Sequence, residues 1–358
     1  MLTPGRSSKP PHTTKLTTPS TASRAVGAGV IQVGVPCHPP VAQAHRQERV
    51  QCGRCGRGVD PGSRRRFRVA SSSGWADEVV RWKRSRGRLP RGCDDRVVAI
   101  YVDESGRGND PTVVLLHGVG TSGWMWRKLA AALASDLHVL IPDLPGHGRS
   151  NARPWVSMAD TVSATADVIR SASPSGRAHV VGLSLGGNVA VRLAADVPEV
   201  VESAIASGVN VLPFPHPVMM RLVGLVMAPF MSSGPMLRAN AKALGVPAED
   251  FGDYRAAAKA LAPGTFRRVG EELMTFGVPA TAATSPCRLL AVSGENEHEL
   301  ILRSLPELAN GFARGTARTA PGVGHAWVGE APELFSAMVR AHVADAALPD
   351  GLSRTTEA

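Results

Sequence analysis

The sequence predicts an α/β fold: a mostly parallel sheet flanked by helices, with an inserted helical cap and a disordered N-terminal arm. Three observations predict it. From Arg96 onward, short apolar runs rich in β-branched residues alternate with helix-length segments, the order that a parallel sheet requires. Residues able to carry chemistry stand where those runs end, and open α/β sheets place their ligands at the carboxyl ends of strands. The alternation lapses once, in a proline-broken stretch at 212–283.

Residues 1–92 are rich in Pro, Ser, Thr, Gly and Arg without a sustained apolar period, which predicts disorder. They hold 18 Lys/Arg against 4 Asp/Glu, whereas residues 93–358 hold 22 against 26. The formal charge of +10 therefore belongs to the arm, and no nucleic-acid partner is expected for the folded part. The acid-free first 47 residues fit a transit peptide in composition but not in their prolines. Ser63-Arg64-Arg65-Arg66-Phe67 lacks the apolar stretch that a twin-arginine signal needs, so export is not expected and the location read from the sequence is cytoplasmic. A start codon placed too far upstream would also account for the arm. Cys52-Gly53-Arg54-Cys55, near His38 and His45, has the spacing of half a zinc site, but no second close pair follows. No metal is expected, nor a disulfide framework from the scattered Cys37, Cys52, Cys55 and Cys93. No apolar run is long enough to span a membrane.

The folded part opens on an alternating strand at Val97–Val102, a polar turn at Ser105–Asp110 and a continuous apolar strand at Thr112–Leu116. His117-Gly118-Val119-Gly120 follows at its end. A Trp-containing helix is predicted over 124–134, a strand over Leu137–Pro142, then the loop Asp143-Leu144-Pro145-Gly146-His147-Gly148-Arg149-Ser150. Met158–Ala172 has helical spacing and stops at Ser173-Pro174-Ser175-Gly176. Ala178–Val181 is a buried strand, followed by Gly182-Leu183-Ser184-Leu185-Gly186-Gly187 and a small-residue helix to Asp196. A serine forced into a strained turn leaves no room for side chains two positions either side, so Gly-x-Ser-x-Gly between a strand and a helix predicts a nucleophile elbow.

Val200–Ser207 is the next strand; Leu212-Pro213-Phe214-Pro215-His216-Pro217 then ends the regular pattern. From Val218 to about Phe276 the chain reads as helices broken at Pro229, Gly234-Pro235, Pro247 and Pro263-Gly264. Met219, Met220, Met227, Met231 and Met236 suit either an adaptable apolar pocket or the packing of these helices on the core. The sheet resumes at Cys287–Ser293, with Cys287 a small core residue, and ends in Gly294-Glu295-Asn296-Glu297-His298-Glu299. A helix over Leu300–Asn310, a strand around Thr316–Ala320, the loop Pro321-Gly322-Val323-Gly324-His325-Ala326-Trp327 and a helix over Pro332–Val343 complete the pattern before a tail at 347–358.

With these motifs in this order, the chain resembles the α/β-hydrolase superfamily over about residues 96–345, in its serine-nucleophile, cap-bearing, esterase- and lactonase-like branch. The resemblance implies a core formed by 93–211 and 284–346 and a cap at 212–283. It implies that His117-Gly118 is the oxyanion loop, Asp143–Ser150 the D-x-x-G-x-G-x-S loop, Ser184 the nucleophile and His325 the base. The acid of that family commonly lies three residues after the strand-end glycine, where this chain has Glu297; Glu295 and Glu299 are alternatives, or one of them caps the following helix.

A serine hydroxyl needs a base whose pKa lies near the working pH, and a carboxylate to hold that base in the right tautomer. The backbone N–H groups of Val119 and Leu185 are the candidates for stabilising the oxyanion. Serine at the elbow argues against dehalogenase or epoxide hydrolase chemistry, which in related proteins uses an Asp. The expected reaction is hydrolysis of a carboxylic ester, lactone or thioester through an acyl-enzyme on Ser184, without a cofactor. C–C bond hydrolysis on the same triad, or a non-catalytic binding protein of this fold, are the alternatives. Arg221, Arg238, Lys242 and the Glu249-Asp250 pair do not spell out a charged clamp, so the expected partner is a small, largely apolar ester-like molecule. The sequence sets no oligomeric state.

Overall fold

The apolar runs assemble into one eight-stranded sheet, order β1-β3-β2-β4-β5-β6-β7-β8. The computed structural model describes residues 100–216, 219 and 233–354. The arm, its cysteines and arginine runs, Met220, Arg221, Met227 and Met231 lie outside the described residues. Strands β2 (Thr112–Leu116), β3 (His138–Pro142), β4 (Ala178–Leu183), β5 (Val201–Ser207), β6 (Arg288–Gly294) and β7 (Arg314–Ala320) run parallel; β1 (Val102–Ser105) and β8 (Ser353–Arg354) pair antiparallel at the two edges.

Successive side chains of a strand face opposite ways, so a sheet covered on both faces builds two cores. Val114, Leu116, Val180, Ala204 and Leu289 pack beneath α2 (Met158–Ala172), α3 (Leu185–Asp196) and α7 (Glu299–Gly311), through Val162, Leu193 and Leu305. Val113, Leu115, Val139, Val181 and Leu290 face the other way, onto Leu129 and Leu133 of α1 (Arg127–Leu133) and Phe335 and Met338 of α8 (Pro332–Val343). Burying a side chain of this size contributes about 1.5–3 kcal/mol. Cys287 lies in the first core, 3% exposed, as its apolar context predicts.

Two edges differ from the sequence reading. The first strand begins at Val102 rather than ending there, and takes in Asp103, Glu104 and Ser105. The two carboxylates are met from near and far: Tyr101 and Arg149 bind Asp103, Arg107 pairs with Glu104, and His138 Nε2 lies 2.8 Å from Glu104 Oε1. At the other edge, part of the expected tail forms β8, with Thr319 opposite Ser353. The expected helix over 124–134 is a 3-10 turn, Gly123–Trp126, running into α1.

Of the breaks expected in the cap, Pro229 lies outside the described residues and the others fall where helices start. Gly234 and Pro235 open α4 (Gly234–Ala243), Pro247 precedes the turn into α5 (Phe251–Ala260), and Gly264, at φ 76°, leads into α6 (Thr265–Leu273). Helix α6 docks on the loop after β3. Glu272 accepts from Trp155 Nε1 at 3.1 Å and from the Met158 N–H at 2.6 Å, and Arg268 Nε donates to the Trp155 carbonyl at 2.7 Å. Glu249, Asp250 and Asp253 pair with Lys128 and Arg127 of the core.

Candidate active site

Ser184 is the single residue between strand β4 and helix α3, and the chain turns there at φ 56°, ψ −118°. A non-glycine residue in that region is strained, and the surroundings must hold it. The Ser184 N–H donates to the Ser207 carbonyl at 2.7 Å, and the Ser184 carbonyl accepts from Asn188 at 2.9 Å. A Cβ at Gly182 would collide with the Gly186 carbonyl, and one at Gly186 with the Leu116 carbonyl. Both elbow glycines are thus required by close approach. Leu185 is the first residue of α3, so its N–H has no acceptor within the helix.

The loop after β2 lies against this turn, a Cβ built on Gly118 standing 3.6 Å from Ser184 Cβ. Three donors converge on the Gly118 carbonyl: the Thr121 hydroxyl at 2.7 Å, His117 Nδ1 at 2.9 Å and the Thr121 N–H at 3.3 Å. The carbonyl of residue 118 and the N–H of residue 119 share one planar peptide and point in opposite directions. Fixing the first aims the second. His117 Nε2 accepts from the Leu144 N–H at 2.9 Å, so this ring is neutral and bridges the two loops. Burial pushes its pKa down. Asp143, fully buried, holds the other loop by accepting from the Gly123 and Arg149 N–H groups at 2.7 and 2.8 Å. A Cβ on Gly148 would collide with the Asp143 carboxylate and one on Gly146 with the Thr265 side chain, and the Ser150 hydroxyl accepts from the Tyr101 N–H at 2.8 Å, which accounts for the rest of the D-x-x-G-x-G-x-S pattern.

Across the turn, His325 Nδ1 lies 2.6 Å from Glu297 Oε2, with side-chain exposures of 18% and 6%. The two loops carrying them are joined by their backbones: Glu295 N–H donates to Ala320 and Asn296 N–H to Val323, at 2.8 and 2.9 Å. The other two acids are engaged elsewhere. Glu295 accepts from the Gly322 N–H at 2.9 Å, and Glu299 is exposed and pairs with Arg303 at 3.7 Å. Neither caps α7. That cap is His298, whose Nδ1 accepts from the Leu300 N–H at 3.2 Å because the ring sits one position before the helix.

Ser184 and His325 line one cavity of about 100 Å³, together with Gly118, Val119, Thr121, Trp124, Met125 and Leu183 from the core and Leu244, Val246, Pro247 and Asp250 from the cap. The lining is mostly apolar, and Asp250 lies 3.5 Å from Lys128 Nζ, so the one carboxylate contributed by the cap is paired with a cation. A histidine whose Nδ1 donates to a carboxylate presents Nε2 as acceptor, the form that takes a proton from a hydroxyl. Among the described residues there is no cluster of potential metal ligands.

Sequence reading missed Thr121, which shows no motif of its own, and Gly208. Gly208 has φ 64°, and a Cβ there would stand 2.9 Å from His325 Cε1 and 3.4 Å from Glu297 Oε2. Its isolation after a strand was the signal available. Met219 is exposed, so it does not line this cavity, and Arg238 and Lys242 are not among the residues that do.

Comparison with known proteins agrees with the architecture. An AB hydrolase superfamily protein of Gibberella zeae is 31% identical over 255 residues, which are 67% of this chain and 82% of that protein. A thermophilic esterase from Thermogutta terrifontis superimposes with a TM-score of 0.59 at 17% identity, over 69% of this chain and 93% of that one. The enol-lactonase from Burkholderia xenovorans gives 0.57 at 21% identity, over 68% and 96%. Residues 113–338 match the profile of the Alpha/beta hydrolase family, and this chain belongs to that family.

Proposed function

We propose that the protein is a serine hydrolase of carboxylic esters, with Ser184 as nucleophile, His325 as general base and Glu297 as the acid of the triad. The observation that carries this reading is the placement of His325, which bonds Glu297 through Nδ1 and lines the same cavity as Ser184. His325 takes the hydroxyl proton as Ser184 Oγ bonds to the substrate carbonyl carbon. The carbonyl π pair moves onto oxygen, where the N–H groups of Val119 and Leu185 receive it. Collapse expels the alkoxide, which takes the proton from His325 and departs as alcohol. Water then repeats the sequence on the acyl-enzyme, giving the acid and free Ser184. Glu297 holds the ring in place and stabilises the imidazolium that forms.

The test is mass-spectrometric mapping of labelling by a fluorophosphonate probe. Modification of Ser184 that disappears in His325→Ala is the expected result. A folded, monodisperse protein that takes no label at Ser184 would refute the assignment.

A further inference from the structure

The cavity above Ser184 shares two of its lining residues with a second, separate space. The chamber holding Ser184 and His325 measures about 100 Å³, less than the roughly 150 Å³ that takes up a benzene molecule. Val119 and Leu244 line it and also line the second space, a groove of about 950 Å³, near the upper end of the roughly 300–1,000 Å³ range of ligand pockets. Among the described residues, the groove is walled by Tyr254, Ala258, Leu261 and Phe266, with Lys259 its one cation and neither Ser184 nor His325 in its lining.

On the reading of Ser184 as an acylated nucleophile, chemistry decides which part of the substrate goes where. The carbonyl carbon bonded to Ser184 Oγ carries three other substituents: the oxyanion, the leaving oxygen and the acyl chain. The oxyanion is held by the Val119 and Leu185 N–H groups. The leaving oxygen must reach His325 for its proton, so its alkyl group occupies the small chamber, which Ala326, Val328 and Gly329 line together with that histidine. Only the acyl chain has no need to face His325. The groove starts at Val119, beside the oxyanion, and extends along cap residues without touching the histidine.

We propose that the substrate is an ester of a long, largely apolar acid with a short alcohol, the acyl chain passing between Val119 and Leu244 into the groove. This inference rests on the serine hydrolase reading and adds its substrate class.

The experiment uses the full chain and two ester series followed by acid release at constant pH: methyl esters of acids from acetate to octanoate, and acetates of alcohols from methanol to octanol. The expected kcat/KM rises at least about tenfold along the first series and falls at least about tenfold along the second, since a buried methylene discriminates by about tenfold or more. In Ala258→Trp, which narrows the groove, the octanoate-to-acetate ratio for methyl esters falls at least about threefold. Hydrolysis with a flat or inverted chain-length profile overturns the proposal while leaving the triad in place. Labelling of Ser184 without hydrolysis of any ester also overturns it. Absence of both labelling and hydrolysis removes the serine hydrolase reading along with it.

Discussion

Thr121 donates its hydroxyl to the carbonyl of Gly118 at 2.7 Å, and through that bond it sets the direction of a neighbouring N–H that it never touches. A net hydrogen bond of this kind contributes about 1 kcal/mol. Thr121→Val keeps the shape and removes the donor, so we expect kcat to fall about fivefold with KM nearly unchanged, whereas Thr121→Ser retains kcat. Steady-state kinetics on a single ester checks this, and a change confined to KM would show that Thr121 acts only as cavity wall.

Glu297 and its neighbours offer a sharper comparison. Glu297→Gln keeps the size but loses the charge and favours the wrong tautomer of His325, with an expected loss in kcat of about 10³-fold or more. Glu295→Gln leaves an acceptor for the Gly322 N–H, and Glu299→Gln alters an exposed pair, so both should remain within about threefold of the parent. Equal losses in all three variants would refute the assignment of the acid.

Gly208→Ala places a methyl group against His325 at a position with φ 64°. Strain at such a position costs about 1–3 kcal/mol, so Tm should drop by several degrees. Displacement of the imidazole should lower kcat by about 10²-fold. Thermal unfolding and kinetics on the same sample separate the two effects, and unaltered turnover would mean that the ring moves aside freely.

Buried histidines set the acid limit of stability. Burial lowers the pKa of His147 and His342 to about 3 and of His179 to about 4, and pushes His117 down as well. These groups are neutral when folded and gain protons near pH 6.5 when unfolded. The unfolded chain therefore binds more protons below that pH. Their stabilising effect is complete above about pH 6.5 and is lost as pH falls towards the folded values, at about 1.4 kcal/mol per pH unit for each group. Denaturant titrations at pH 7, 6 and 5 should show the decline, and His147→Phe should make it shallower by about one proton's slope.

The sheet was most legible where its strands are buried apolar runs, as in β2 and in the bodies of β3 and β4, and the elbow because Gly182 and Gly186 answer a steric need that only glycine meets. Glu297 was named through the family resemblance, with Glu295 and Glu299 as alternatives, and the contact of Glu297 with His325 comes from two loops joined by their backbones. The edges were less legible. Strand β1 is polar, and two of its partners, Arg149 on Asp103 and His138 on Glu104, come from parts of the chain well separated in sequence. Gly208 and Thr121 act through neighbours brought close only by folding, so no local pattern announces them.

Strands β5 and β6 are neighbours, with Ser203 opposite Arg288 and Ser207 opposite Val292. The chain leaves the sheet after one and rejoins it at the next, a step for which a crossover needs a minimum of about 10–12 residues. Most of 208–287 is therefore surplus to the sheet's connectivity. Its helices can be lengthened, shortened or exchanged while the hydrogen-bonded loops around Ser184, Glu297 and His325 keep their places. Descent can then rewrite what the site admits without rebuilding the chemistry, and a designer seeking new selectivity has a natural pair of cut points there.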